Sequence, residues 1–229
     1  MQAIGAVGFC SLSELGRLVR GSCLSGEVSV NYFVRNLQCA GCMAAAVSFT
    51  IGMIGMVGWL SYKPHLFQVN PDSVPMQFNT SLGMVLGGIG FFVLHLKCFR
   101  TASYTGFLIW ALGFATQLQY MTGADLGIDD LFIEHYVTNH TVSPGRMAPN
   151  SALAFTMIGM ALAFCDSRVA LFFGGAVALL FGVFGVIGHL TGITPFYAWE
   201  SSTQISMNAG VAFSFMGWAL IRHASNIGK

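Results

Sequence analysis

Near-uninterrupted apolar runs occupy residues 39–62, 76–96, 102–121, 148–165, 169–190 and 204–221. Each approaches the roughly 20 residues that a helix needs to cross a bilayer. Lipid offers backbone N–H and C=O groups no partner, so a chain of this kind is confined to helices or a closed barrel. The runs lack the alternation of apolar and polar residues that marks a barrel strand. The expected fold is an all-α integral membrane protein of six transmembrane helices. Composition agrees, since 55% of residues are hydrophobic and 8% charged, against about 25% charged in soluble domains.

The placement of charge predicts orientation. Arg17, Arg20, Arg35, Lys97, Arg100, Arg168, Arg222 and Lys229 fall with the termini and the two short connections, whereas Lys63 and Arg146 fall on the other side. Cationic residues favour the cytoplasmic face, so both termini are expected there. Asp72, Asp125, Asp129, Asp130, Glu134 and Glu200 lie in the long connections that this orientation places outside. The net charge of +1 says nothing in itself about nucleic acid, and no nucleic-acid partner is expected.

Cys10, Cys23, Cys39, Cys42, Cys98 and Cys165 all fall in the N-terminal segment or near inner helix ends. A reducing cytoplasm disfavours disulfides at these places. Cys39 and Cys42 have CxxC spacing, but without a second pair or a histidine partner, packing is the simpler reading. Residues 13–20, SELGRLVR, have the makings of a short amphipathic helix on the inner membrane surface, or else belong to a partly ordered tail. No basic region followed by an apolar core marks a cleaved signal peptide.

The segment GRMAPNSALAFTMIG, from Gly145, has two related copies, MQFNTSLGMVLGG from Met76 and ISMNAGVAFSFMG from Ile205. Asn79, Asn150 and Asn208 each open an even-numbered span, and Gly88, Gly159 and Gly217 follow at the same interval. The odd-numbered spans repeat as well. Gly52, Gly55 and Gly58 precede Trp59; Gly182, Gly185 and Gly188 precede His189; Gly113, Thr116 and Gln119 precede Tyr120. A repeat of this size means one supersecondary unit used several times, here three helical hairpins at about 39–98, 99–166 and 167–222. Residues 1–38 form a cytoplasmic or interfacial segment, 39–222 the transmembrane domain, and 223–229 a cytoplasmic tail. Small residues at this spacing let helices approach closely in lipid. Trp59, Tyr120 and His189 occupy the interfacial position usual for amphipathic rings.

The asparagines are open to two compatible readings. Each can satisfy backbone N–H groups at a helix start, or all three can meet around a pseudo-threefold axis and form an outward-facing polar pocket. Asymmetry among the copies favours a site in the middle hairpin: Arg146 stands where the other copies have Pro75 and Gln204, and Gln119 where they have glycine. Polar groups within spans tend to mark sites or inter-helix bonds. The candidate ligand-binding residues are Arg146, Asn150, Asn79, Asn208 and Gln119, with a ligand's anionic or polar group on Arg146. The acidic loop 123–145 carries Asp125, Asp129, Asp130, Glu134, His135 and His140 without a recognised metal spacing. It reads as a solvated loop, with Asp130 and Glu134 on one helix face if helical and Leu131, Phe132 and Ile133 turned back to the membrane surface.

DLGIDDLFIEH, followed by PGRMAPNSALAF and a hairpin containing GHLTGITPFY, resembles the multi-span N-terminal membrane region of bacterial hybrid sensor histidine kinases and diguanylate cyclases. The resemblance runs from about residue 39 to 221 and is most specific over 123–164. It implies an input module of the bacterial inner membrane, working with cytoplasmic kinase or cyclase domains. After Arg222 stands HASNIGK, with no phospho-acceptor context, nucleotide box or GGDEF sequence, so output is expected from a partner or from further sequence.

No nucleophile with a positioned base, phosphate loop or metal motif is present, so neither enzymatic activity, a cofactor nor a bound metal is expected. The leading expectation is a membrane-embedded sensory or ligand-binding module. The alternatives are a structural or assembly subunit, homo-oligomeric or part of a larger membrane complex, and, third, a small transporter or channel.

Overall fold

In the computed structural model each apolar run forms a helix, because no charge falls within any of them and their one proline, Pro149, sits in a first turn where it breaks no i to i−4 bond. The helices are α1 (Ala40–Leu60), α2 (Phe78–His95), α3 (Phe99–Thr122), α4 (Pro149–Ala163), α5 (Arg168–Thr191) and α6 (Met207–Asn226). Short 3-10 turns follow α1 (Pro64–Leu66) and α5 (Thr194–Phe196). The structure describes residues 40–71, 73–137, 141, 143–197 and 203–227, and contains no strand among them. The amphipathic segment 13–20, Cys10, Cys23, Cys39, Asp72, His140, Glu200 and Lys229 lie outside the described residues.

Three helices, α1, α2 and α5, are long and apolar enough to cross a membrane. The run 148–165 forms only the 15-residue α4, which rises about 22 Å. Pro149 stands at its first turn, where the missing N–H costs nothing. On the other side of the long connections, α3 and α5 stop at Gly123 (φ 69°) and Gly192 (φ 73°). Tyr62 (φ 56°) occupies the equivalent place after α1. Left-handed backbone is the usual helix terminator, and glycine adopts it without a Cβ clash.

Consecutive helices pair into three antiparallel hairpins, α1 with α2, α3 with α4 and α5 with α6. The hairpins close into a ring, since α2 meets α3, α4 meets α5, and α6 returns to α1. The even helices touch one another at the centre. Accordingly 67% of the most apolar stretch of α2 is buried, against 28% for α1 and 33% for α5.

The repeated glycines set the closeness of each hairpin. A Cβ on Gly52 would lie 2.6 Å from the Ser81 carbonyl oxygen, and one on Gly113 2.6 Å from that of Ala152; Gly182 faces the Ser214 backbone in the same way. From the even helices, Gly88, Gly159 and Gly217 press on the backbones of Phe49, Trp110 and Leu179. Backbones this close gain van der Waals contact that lipid cannot match. Around the axis, Met84, Phe155 and Phe213 stand five residues after the three asparagines and are fully buried. Phe155 and Phe213 meet edge to face at 4.9 Å. The odd helices turn Phe49, Val57, Phe107, Leu108, Phe172 and Phe173 outward, an apolar belt suited to lipid.

Candidate functional site

The rings at the ends of the odd helices are interior clasps. The Trp59 indole N–H donates to the Met76 carbonyl at 2.8 Å, the Tyr120 hydroxyl to Met147 at 2.9 Å, and His189 Nε2–H to Ile205 at 2.7 Å. Each acceptor stands three residues before the asparagine of its repeat, so one hydrogen bond holds the long connection of every hairpin against its own helix. His189 is thus a satisfied polar side chain.

In hairpins 1 and 3 an aromatic ring backs the clasp. Phe67 stacks on Trp59 at 4.2 Å and Tyr197 on His189 at 4.3 Å. The backbone N–H of Met76 donates to Phe67 at 3.0 Å, and that of Ile205 to Tyr197 at 2.9 Å. These compact turns need the glycines beneath them: a Cβ on Gly58 or Gly188 would strike the Leu66–Phe67 or Phe196–Tyr197 side chains.

Hairpin 2 departs from this plan. The Arg146 guanidinium, 5.6 Å from the Tyr120 ring, takes the place of the backing aromatic, and Gln119 replaces the third glycine. Arg146 Nε donates to Asp129 Oδ2 at 2.8 Å, and Gln119 Nε2 donates to the same oxygen at 3.0 Å. Gln119 is 0% and Asp129 7% exposed. Asp129 Oδ1 and Gln119 Oε1 are buried and accept no hydrogen bond from the described residues. Gln117 Nε2 donates to the Pro149 carbonyl at 2.6 Å, tying α3 to the start of α4.

The acidic loop is folded down over hairpin 1, not solvated throughout. His135 pairs through Nδ1 with Asp130 at 2.7 Å and sets its edge against Trp59 at 4.7 Å. Residues 130–134 are not helical, so Asp130 faces His135 instead of sharing a helix face with Glu134. The Tyr136 hydroxyl donates to the Gly58 and Trp59 carbonyls at 3.3 Å, and burial raises its pKa, which preserves the donor proton. Leu131 and Phe132 remain exposed, whereas Ile133 packs on the core. Gly145 (φ 75°) closes the loop where a Cβ would lie 2.6 Å from His135 Nδ1 and 2.7 Å from the Asp129 carbonyl oxygen.

Of the residues singled out in the sequence, Arg146 and Gln119 converge on Asp129. Asn79 is tied to the same loop through its Nδ2, which donates to the Ile128 carbonyl at 2.8 Å. Asn150 is turned to its own helix, its Oδ1 accepting from the Ser151 N–H at 2.9 Å. Asn208 lines a separate pocket of about 90 Å³ with His189, Ser206, Phe67 and Asn70. The helix-capping positions are Gln77, Ala148 and Ser206, two residues before each asparagine. Each long connection leans on a neighbouring hairpin: loop 2 on Asn79, loop 1 on Asn208, and Thr203 of loop 3 beside the Tyr120 hydroxyl.

Asp129 is the member of the site that sequence reasoning left in solvent. The available signal was Arg146, the one cation among the three repeat copies, set against the in-span Gln119 with acids in the connection between them. No family model matches the chain, and neither a curated protein nor a solved structure does.

Proposed function

We propose that this chain is a membrane-embedded sensory or ligand-binding module whose receptor is the Arg146–Asp129–Gln119 cluster, formed where loop 123–145 meets the end of α3. The single observation that carries the reading is the break in symmetry. Two hairpins close with glycine and a stacked ring, and the third with a buried ion pair that leaves carboxylate and amide oxygens uncommitted. Buried polar groups without partners are expensive, and proteins retain them chiefly where something is bound or moved. All six helices then cross the inner membrane of a bacterium, α4 being lengthened by the buried Met147 and Ala148 ahead of it. Lys97, Arg100, Arg168 and Arg222 mark the cytoplasmic end and Lys63 and Arg146 the outer end.

Signal passes by repacking. The loop bears on hairpin 1 through Trp59 and Asn79 and on hairpin 2 through Arg146 and Gln119. A ligand that prefers one arrangement of these hairpins shifts their packing. The resemblance to kinase and cyclase input regions supplies the class of cytoplasmic partner. An assembly subunit is the second reading, favoured by the side-chain-filled axis at Met84, Phe155 and Phe213; the same filling opposes a transport path.

The test places spin-label pairs in nanodiscs, one from Leu131 to α1 and one between the cytoplasmic ends of α3 and α5. Opening the cluster with Arg146→Ala should move both pairs, the cytoplasmic one by about 1–2 Å, as helix shifts in switching proteins do. Loop movement with unchanged cytoplasmic distances would refute the sensory reading and leave the assembly one.

A further inference from the structure

Resting on that reading, we infer that the cluster recognises a small α-amino acid zwitterion. The Arg146–Asp129 pair is electrically neutral as a unit and largely buried, with 14% and 8% of the side chains exposed. A ligand with net charge would bring an uncompensated charge into that place, which is strongly unfavourable. A neutral ligand that carries both signs would not.

The uncommitted atoms divide the same way. Asp129 Oδ1 and Gln119 Oε1 are acceptors without donors among the described residues. On the cationic side only Nε of Arg146 is engaged, and the terminal guanidinium nitrogens donate to no described residue. An ammonium group meets the two oxygens and a carboxylate meets the terminal guanidinium nitrogens, a pairing for which the planar fork is suited.

Spacing narrows the class. The protein's opposite charges touch at 2.8 Å, so the ligand's poles must stand side by side, as on a single carbon. An ω-amino acid, with its charges held several bonds apart, cannot engage both partners without separating them. The Tyr120 ring lies 5.6 Å from the guanidinium carbon and bounds the cluster on that side.

The experiment is thermal unfolding with parallel titration calorimetry on the full chain in nanodiscs. The probes are glycine, the proteinogenic amino acids, 4-aminobutyrate, ethylamine and acetate. At least one α-amino acid should raise the unfolding midpoint by roughly 5 °C near saturation, with the ω-amino acid and the singly charged fragments inactive. Gln119→Leu should weaken that binding by about tenfold, the effect of one lost hydrogen bond to a charged group. Ser225→Ala, near the opposite end of α6, should leave it unchanged. Equal binding of ethylamine or acetate, silence of every α-amino acid toward the folded wild-type protein, or a density map of amino-acid-saturated protein with only water between Asp129 Oδ1 and Gln119 Oε1 overturns the inference. The spin-label distances use no ligand, so the sensory reading stands or falls separately.

Discussion

Arg146 Nε and Asp129 Oδ2, 17 positions apart in the chain, meet at 2.8 Å, and the Gln119 amide donates to the same oxygen from α3. Removing the cation leaves a carboxylate buried with a single amide donor. Arg146→Met should destabilise the protein by about 3–5 kcal/mol, the usual result of breaking one side of a buried pair. Asp129→Leu combined with Arg146→Met removes both charges and should recover most of that loss. Unfolding of the two single variants and the double variant in mild detergent measures the coupling. Additive losses would mean that the two side chains do not act as a pair.

The three clasps are chemically different donors to equivalent carbonyls, which makes pseudo-threefold symmetry open to measurement. Trp59→Phe, Tyr120→Phe and His189→Phe each orphan a buried acceptor, at Met76, Met147 and Ile205. Each should lose about 1–3 kcal/mol, with Trp59→Phe adding a packing loss because the indole is fully buried. Hydrogen exchange in the segment before each even helix should rise only in the hairpin altered. A rise in all three would show that the clasps are not independent.

Tyr62 holds φ 56° where the other hairpins have Gly123 and Gly192. Left-handed backbone costs a residue with a Cβ about 1–2 kcal/mol. The Tyr62 ring is 70% exposed, and its contact with Tyr136 at 4.8 Å offsets part of that strain. Tyr62→Gly should therefore stabilise the protein by roughly 0.5–1 kcal/mol, and Tyr62→Ala, which removes the ring but keeps the Cβ, should destabilise it. The pair of midpoints separates backbone strain from ring packing.

Helices and hairpin glycines were legible because both leave a periodic trace: apolar length for the first, and equal intervals such as Gly52 to Trp59 and Gly182 to His189 for the second. The clasps were half legible. The donors align in the sequence, but their acceptors are backbone carbonyls, which no residue type announces. Asp129 was hidden because an aspartate among other acids reads as solvated, and its burial depends on Arg146 and Gln119 arriving from different elements. The asparagines are equivalent in sequence yet not in partner. The loop of hairpin 2 is long enough to cover Asn79 with Ile128, while the shorter loop of hairpin 1 leaves a pocket at Asn208.

Gly87 and Gly88 are neighbours with different duties, and a single methyl group tells them apart. Gly87 faces the axis, where a Cβ would come within 3.0 Å of Met216 Sδ and 3.6 Å of its methyl carbon. A thioether end shifts at little cost, because its three rotatable bonds let it fill another shape. Gly88 faces α1, where a Cβ would lie 2.6 Å from Phe49 Cβ and 2.8 Å from the Phe49 backbone nitrogen. Backbone cannot yield without moving the whole helix, and the close approach of α1 and α2 depends on this crossing. Gly87→Ala should change stability by less than about 1 kcal/mol, whereas Gly88→Ala should lose about 1–3 kcal/mol, the usual cost of overpacking. Gly159→Ala and Gly217→Ala, pressed on the Trp110 and Leu179 backbones, should match Gly88→Ala. Unfolding midpoints of the four variants in one detergent decide the matter, and a Gly87→Ala loss as large as the others would show that the axis is packed as rigidly as the hairpins.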